Sequence, residues 1–127
     1  FSPRDHDLIK LLVTECPEAV VQRDLYHRYP LHIACNSDTS PEIIKLLLEA
    51  DTHNPKVTIT QKTRRFGFLP LHVACFNGAQ EGIINALLEA DSDRKTAVQK
   101  SKGGYLPLHL AILKKQPASI VKALLDI

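Results

Sequence analysis

The sequence predicts an all-α chain of stacked helix–turn–helix units, and three observations predict it. The phrase Pro30-Leu31-His32-Ile33-Ala34-Cys35 returns as Pro70-Leu71-His72-Val73-Ala74-Cys75 and Pro107-Leu108-His109-Leu110-Ala111-Ile112. An apolar segment, Ile43-Ile44-Lys45-Leu46-Leu47-Leu48-Glu49-Ala50, returns in step as Ile83–Ala90 and Ile120–Ile127. The prolines at 30, 70 and 107 stand 40 and 37 residues apart, a period typical of stacked repeat architectures.

Proline is tolerated at the first helical position, where its missing N–H would have no partner, so Pro30, Pro70 and Pro107 start the first helix of each unit, helix A. Gly78 is placed to close the second of these in a left-handed conformation, with Asp38 and Lys115 at the same place in the other two. The second helix, helix B, is predicted over 41–50, 81–90 and 118–126. Five of the six residues in Ile43–Leu48 are apolar. A helix apolar nearly all round needs cover on several sides, which neighbouring units of a stack provide. Leu8-Ile9-Lys10-Leu11-Leu12-Val13 repeats the helix B pattern without a Pro-Leu-His phrase ahead of it, so the chain opens inside a unit. The predicted division is one domain, 1–127, with half a unit at 1–28, units at 29–68 and 69–105, and a shortened one at 106–127. Connectors are long, with the extra length in 51–65 and 91–102. Val57-Thr58-Ile59-Thr60 alternates β-formers and is predicted to be one arm of a hairpin.

These units resemble ankyrin repeats. The family motif Gly-x-Thr-Pro-Leu-His-x-Ala-Ala-x-x-Gly matches 67–78 with few changes, and Gly104-Tyr105-Leu106-Pro107 keeps the leading glycine of the third unit. The resemblance covers essentially the whole chain and implies an ankyrin-repeat solenoid with hairpin-like finger loops. Two departures stand out. The motif threonine is Tyr29, Leu69 or Leu106, and His27 stands where the first turn glycine belongs. Histidine at a position that favours positive φ predicts a differently shaped first turn.

Composition bounds the function classes. The chain has 127 residues, 44% of them hydrophobic, with a net charge of +2 and a pI near 8.5. No apolar run approaches the roughly 18 to 20 residues that span a bilayer, and there is no signal-peptide pattern, so a soluble module is predicted. Cys16, Cys35 and Cys75 are an odd count inside helical segments and point to a reducing, intracellular setting, cytoplasmic or nuclear. With no methionine and an opening in mid-unit, the sequence reads as a piece of a longer protein.

Two His-x-x-Cys steps, His32/Cys35 and His72/Cys75, offer soft ligands on one helix face and raise the question of zinc. In the family the resemblance implies a structural histidine that bonds backbone and ties neighbouring units together, while cysteine fills a small-residue slot. Neither a metal site nor a cofactor is expected. A nucleophilic cysteine needs a converging base and orienting group. Phosphate-binding and hydrolase motifs are absent, Asp91 and Asp93 read as helix ends, and no catalytic residue is expected.

What remains is surface. Ankyrin proteins typically bind other proteins through finger tips and outward positions of helix A along a concave groove. Carried over, the finger tips are Leu25, Tyr26 and Arg28, then Arg65, Phe66 and Phe68, then Lys102, Gly103 and Tyr105. The helix A positions are Asn36, Ser37, Phe76, Asn77, Leu113 and Lys114. Tyr26, Arg28, Asn36, Arg65, Phe66, Phe68, Phe76, Asn77, Tyr105 and Lys114 are therefore the expected partner-binding residues, and Pro30, His32, Pro70, His72, Pro107 and His109 the structural motif. The predicted function is a non-catalytic adaptor or scaffold module. Lys62, Arg64, Arg65, Lys100 and Lys102 point to an acidic element in the partner protein or peptide. The alternative is nucleic-acid or other polyanion binding through the same basic, aromatic-bearing loops. No membrane partner is expected, and the apolar ends, Leu8–Val13 and Leu124–Ile127, predict self-association of the fragment.

Overall fold

The structure of the chain, a computed structural model, describes residues 3–36, 38–53, 56–91 and 93–125. Ser37, Asp126 and Ile127 lie outside the described residues. Among the described residues eight α-helices follow one another: α1 (Pro3–Glu15), α2 (Pro30–Ala34), α3 (Pro41–Ala50), α4 (Val57–Thr60), α5 (Pro70–Asn77), α6 (Glu81–Ala90), α7 (Pro107–Leu113) and α8 (Ala118–Leu125). Helices α2, α5 and α7 stack side by side as the A row. Helices α1, α3, α6 and α8 form the B row behind them, and each A helix packs on the B helix that follows it.

The apolar B helices fill the space between the rows. Ile43, Ile44, Ile83 and Ile84 are fully buried, and Leu31, Leu71 and Leu110 meet them from the A row. Each such side chain stabilises the fold by about 1.5–3 kcal/mol. Every A helix starts at its motif proline, as the phrase predicts. Their ends differ. Gly78 closes α5 at φ 71° and Lys115 follows α7 at φ 55°. Helix α2 stops after five residues. There Asn36 donates its side-chain N–H to the Ile33 carbonyl and accepts the Asp38 N–H and the Thr39 hydroxyl. These local bonds compete with the helix and end it early.

Two expectations are corrected. Residues 57–60 form α4, not a hairpin arm, and no strand occurs among the described residues. The buried Asp51 carboxylate accepts the Thr58 N–H at 2.9 Å and its hydroxyl at 2.8 Å, and Ile59 is buried in the core. Tertiary packing thus overrides β propensity. The same device recurs where Asp91 accepts the Thr96 N–H at 2.7 Å and its hydroxyl at 2.6 Å, holding a 3-10 turn at Lys95–Val98. A third connector carries a 3-10 turn at Pro17–Val21. The long connectors are therefore folded, each contributing a buried helical turn. The second correction is His27, which adopts φ 59°, close to Gly67 at 66° and Gly104 at 83°. The first finger keeps the shape of the others, because histidine tolerates the left-handed region better than most residues.

Candidate functional site

Each finger is closed by one polar side chain. Asp24 accepts the N–H groups of Tyr26 and Arg28, both at 2.9 Å, Thr63 accepts that of Phe68 at 3.1 Å, and Ser101 accepts that of Tyr105 at 3.2 Å. Main-chain bonds Asp24 N–H to Arg28 O, Thr63 N–H to Phe68 O and Ser101 N–H to Tyr105 O complete the turns. Successive fingers are zipped together. Arg64 N–H donates to Tyr26 O at 2.9 Å and Lys102 N–H to Phe66 O at 3.0 Å. Gly67 makes room for this contact, since a Cβ there would stand 2.7 Å from Lys102 Cγ.

The motif histidines anchor the fingers. His32 Nδ1 accepts the Tyr29 N–H, and Nε2 lies 3.0 Å from Gln61 O. His72 Nδ1 accepts the Leu69 N–H, while Nε2 faces Gln99 O at 2.9 Å and Tyr105 O at 3.0 Å, in the next finger. His109 Nδ1 accepts the Leu106 N–H at 2.9 Å. With Nδ1 accepting, the ring proton of His32 and of His72 sits on Nε2 and donates to carbonyls. Burial lowers the His32 pKa to about 4, and the Gln61 carbonyl offsets this only in part. Burial lowers that of His72 as well. Both rings are neutral and both nitrogens are engaged. Beside them, burial raises the Cys35 thiol pKa and pushes that of Cys75 up to about 12, the reverse of an activated nucleophile or a ready thiolate ligand. No group of three His, Cys, Asp or Glu residues among the described residues is arranged to hold a metal ion.

The face formed by the fingers and the A row, the expected concave face, carries two adjoining depressions. One, of about 590 Å³, lies between the second and third fingers and reaches helix α7. The other, of about 570 Å³, lies between the first and second fingers and reaches α2 and α5. Arg65, Phe66, Phe68 and Phe76 form a wall common to both. The structure brings the ten expected partner-binding residues to this face: Tyr26, Arg28, Asn36 and Asn77 line the second depression, Tyr105 and Lys114 the first, and the rest the shared wall, while the finger-tip position Leu25 lines neither. Tyr26, Phe66, Phe76 and Tyr105 are 61%, 53%, 42% and 43% exposed. Phe68 is half-buried, its ring stacked on His72 at 5.5 Å and tilted against Phe76 at 5.8 Å. Arg65 lies 5.1 Å over the Phe66 ring, and Lys114 Nζ 4.2 Å over that of Phe76.

Some expected contact groups also have structural work. Asn77 donates its amide N–H to Cys35 O, and the Asn36 amide closes α2. Lys62 donates to Lys100 O, Arg64 to Leu25 O and Lys102 to Arg64 O. Three of the five basic finger residues thus brace the neighbouring finger. Ile33, Thr63, Val73 and Leu110 line the depressions without having been expected there. Ile33 and Val73 directly follow the motif histidines, and their outward turn on helix A was the available clue.

A family model of ankyrin repeats, in three copies, matches residues 2–96. The chain belongs to the ankyrin-repeat family. Beyond the matched span, α7 and α8 continue the two rows of this ankyrin-repeat stack. Ankyrin repeats are generally non-catalytic protein–protein interaction modules. No curated protein matches this ankyrin-repeat chain. No described helix is long and apolar enough to cross a membrane.

Proposed function

We propose that this ankyrin-repeat chain is a non-catalytic interaction module that binds a partner protein or peptide along its concave face, in an intracellular setting. The observation that carries the reading is the convergence of half-exposed aromatics with Arg65 and Lys114 on two adjoining depressions. Aromatic and arginine side chains over desolvated pockets are the residue types that dominate binding energy at interfaces. The zipped fingers hold these side chains in place before a partner arrives, so little ordering cost attends binding. Three free cysteines, two of them buried, fit a reducing compartment. Bracing of Lys62, Arg64 and Lys102 against carbonyls weighs against the nucleic-acid reading, because it ties down the cations that phosphates would need.

The test is a pull-down with this chain beside the variant Arg65→Ala/Phe66→Ala/Phe76→Ala/Tyr105→Ala, both checked for helix content by circular dichroism. A protein held by the first and lost by the second is expected. Equal capture, or single-stranded oligonucleotide binding that weakens steeply with salt, sinks the proposal.

A further inference from the structure

The two depressions differ in charge, and the difference has a consequence for the ligand. Among the described residues no carboxylate lines either one. The depression toward the third finger has an apolar floor from Phe66, Phe68, Phe76, Tyr105, Leu110 and Leu113, with Arg65, Lys102 and Lys114 around it. Two of these cations are held against aromatic faces, Arg65 on Phe66 and Lys114 on Phe76. The depression toward the first finger has a comparable floor, but its own cation is cancelled: Arg28 Nε bonds Asp24 Oδ2 at 2.8 Å. Hydrogen bonds from Arg28 and Tyr26 hold the Asp24 carboxyl below its usual pKa, so the pair stays charged and closed on itself. The remaining polar lining there includes Asn36 and Asn77, whose amide donors already serve the backbone.

From this we infer that the concave face selects a peptide segment with two apolar anchors and with carboxylates at one end only, the end that lies over Lys114. The inference rests on the concave-face reading and narrows it to an extended segment of uneven charge. Each depression accepts one apolar side chain, and the Phe66–Phe68–Phe76 wall sets the gap between them. An acidic residue beside the anchor of the cationic depression meets Lys114 and Arg65 with no opposing carboxylate in its lining. At the other depression an acidic residue meets only the shared Arg65 and an arginine already paired with Asp24, so the unshared Lys114 fixes which way the segment lies.

The test is selection of displayed random 12-residue peptides on this chain, followed by fluorescence anisotropy of the recovered sequences. Recovered peptides are expected to carry two apolar residues with Asp or Glu flanking only one. Phe66→Ala/Phe76→Ala is expected to abolish their binding. Lys114→Glu is expected to weaken it at least tenfold, and a peptide with its carboxylates replaced by lysine is expected to restore binding to that variant. If binding requires Phe66 and Phe76 but acidic residues are absent or scattered, the inference falls and the concave-face reading stands. If the recovered peptides bind without those rings, both fall. Recovery of no peptide overturns the inference and leaves the broader reading to the pull-down.

Discussion

At the residue scale, the motif histidines do the most with the fewest atoms. One ring of His32 accepts a backbone N–H at the start of its own helix and donates to a carbonyl 29 residues away. The ankyrin resemblance implied this role, and the structure gives its geometry: proline starts the helix, and the histidine two residues on sits one turn above the free Tyr29 N–H. The partner carbonyl was not legible, since nothing in the sequence marks Gln61. A pH dependence follows from the burial of the ring. His32 is neutral when folded, with its pKa lowered to about 4, and takes a proton near 6.5 when unfolded. Between those values the unfolded chain binds more protons, so stability is full above about pH 6.5 and falls as pH drops toward 4. The expected loss is about 3 kcal/mol from His32, with His72 acting in the same direction. Urea midpoints measured from pH 7 to pH 4.5 check this, and a flat profile would contradict it.

Between the helices, the connectors carry structure that the repeat pattern does not announce. Asp51 is fully buried, and burial alone would raise its pKa, but bonds from Thr58 and His53 outweigh that and hold the carboxyl below its ordinary value. It accepts the Thr58 N–H and hydroxyl together with the His53 N–H, and His53 Nδ1 stands 2.8 Å away. Removing it leaves buried donors without partners, which costs more than the bonds themselves contribute. Asp51→Ala is expected to destabilise the fold by about 3 kcal/mol, and Asp91→Ala by somewhat less because Asp91 is less buried. Equilibrium urea unfolding measures both; a loss below about 1 kcal/mol for Asp51→Ala would mean the connector turn does not depend on it. The sequence offered a faint trace of the device in two aspartates that each directly follow a Glu-Ala helix end, at 51 and 91. The unequal spacing to Thr58 and Thr96 hid the shared partner.

For the whole molecule, stability and the placing of the fingers both follow from stacking in one direction. Each unit is covered by its neighbours, so protection should follow the number of covered sides. Helix α1 packs through Ile9 and Val13 while Leu8, Leu11 and Leu12 are more than half exposed. Helices α3 and α6 have B-row neighbours on both sides. Amide hydrogen exchange is therefore expected to be fastest in α1 and slowest in α3 and α6. Equal protection throughout would indicate a single cooperative unit in place of a stack. The same stacking brings fingers 38 and 36 residues apart into register, through Tyr26 O to Arg64 N and Phe66 O to Lys102 N. That register sets three separate loops side by side along the two depressions.

The sequence by itself determined the repeat, the two helix rows and the starts of the A helices. These follow from spacing, proline placement and apolar periodicity, which act over a few residues and need no knowledge of distant neighbours. Only the tertiary structure decided that Val57–Thr60 is helical, that His27 takes a left-handed conformation, and that Lys62, Arg64 and Lys102 brace neighbouring fingers. Each of those outcomes depends on a group far along the chain or on the packing of a whole unit. A β-forming run folds as a helical turn because a buried aspartate captures its N–H. A lysine that looks available to a partner is held because the next finger presents a carbonyl within its reach.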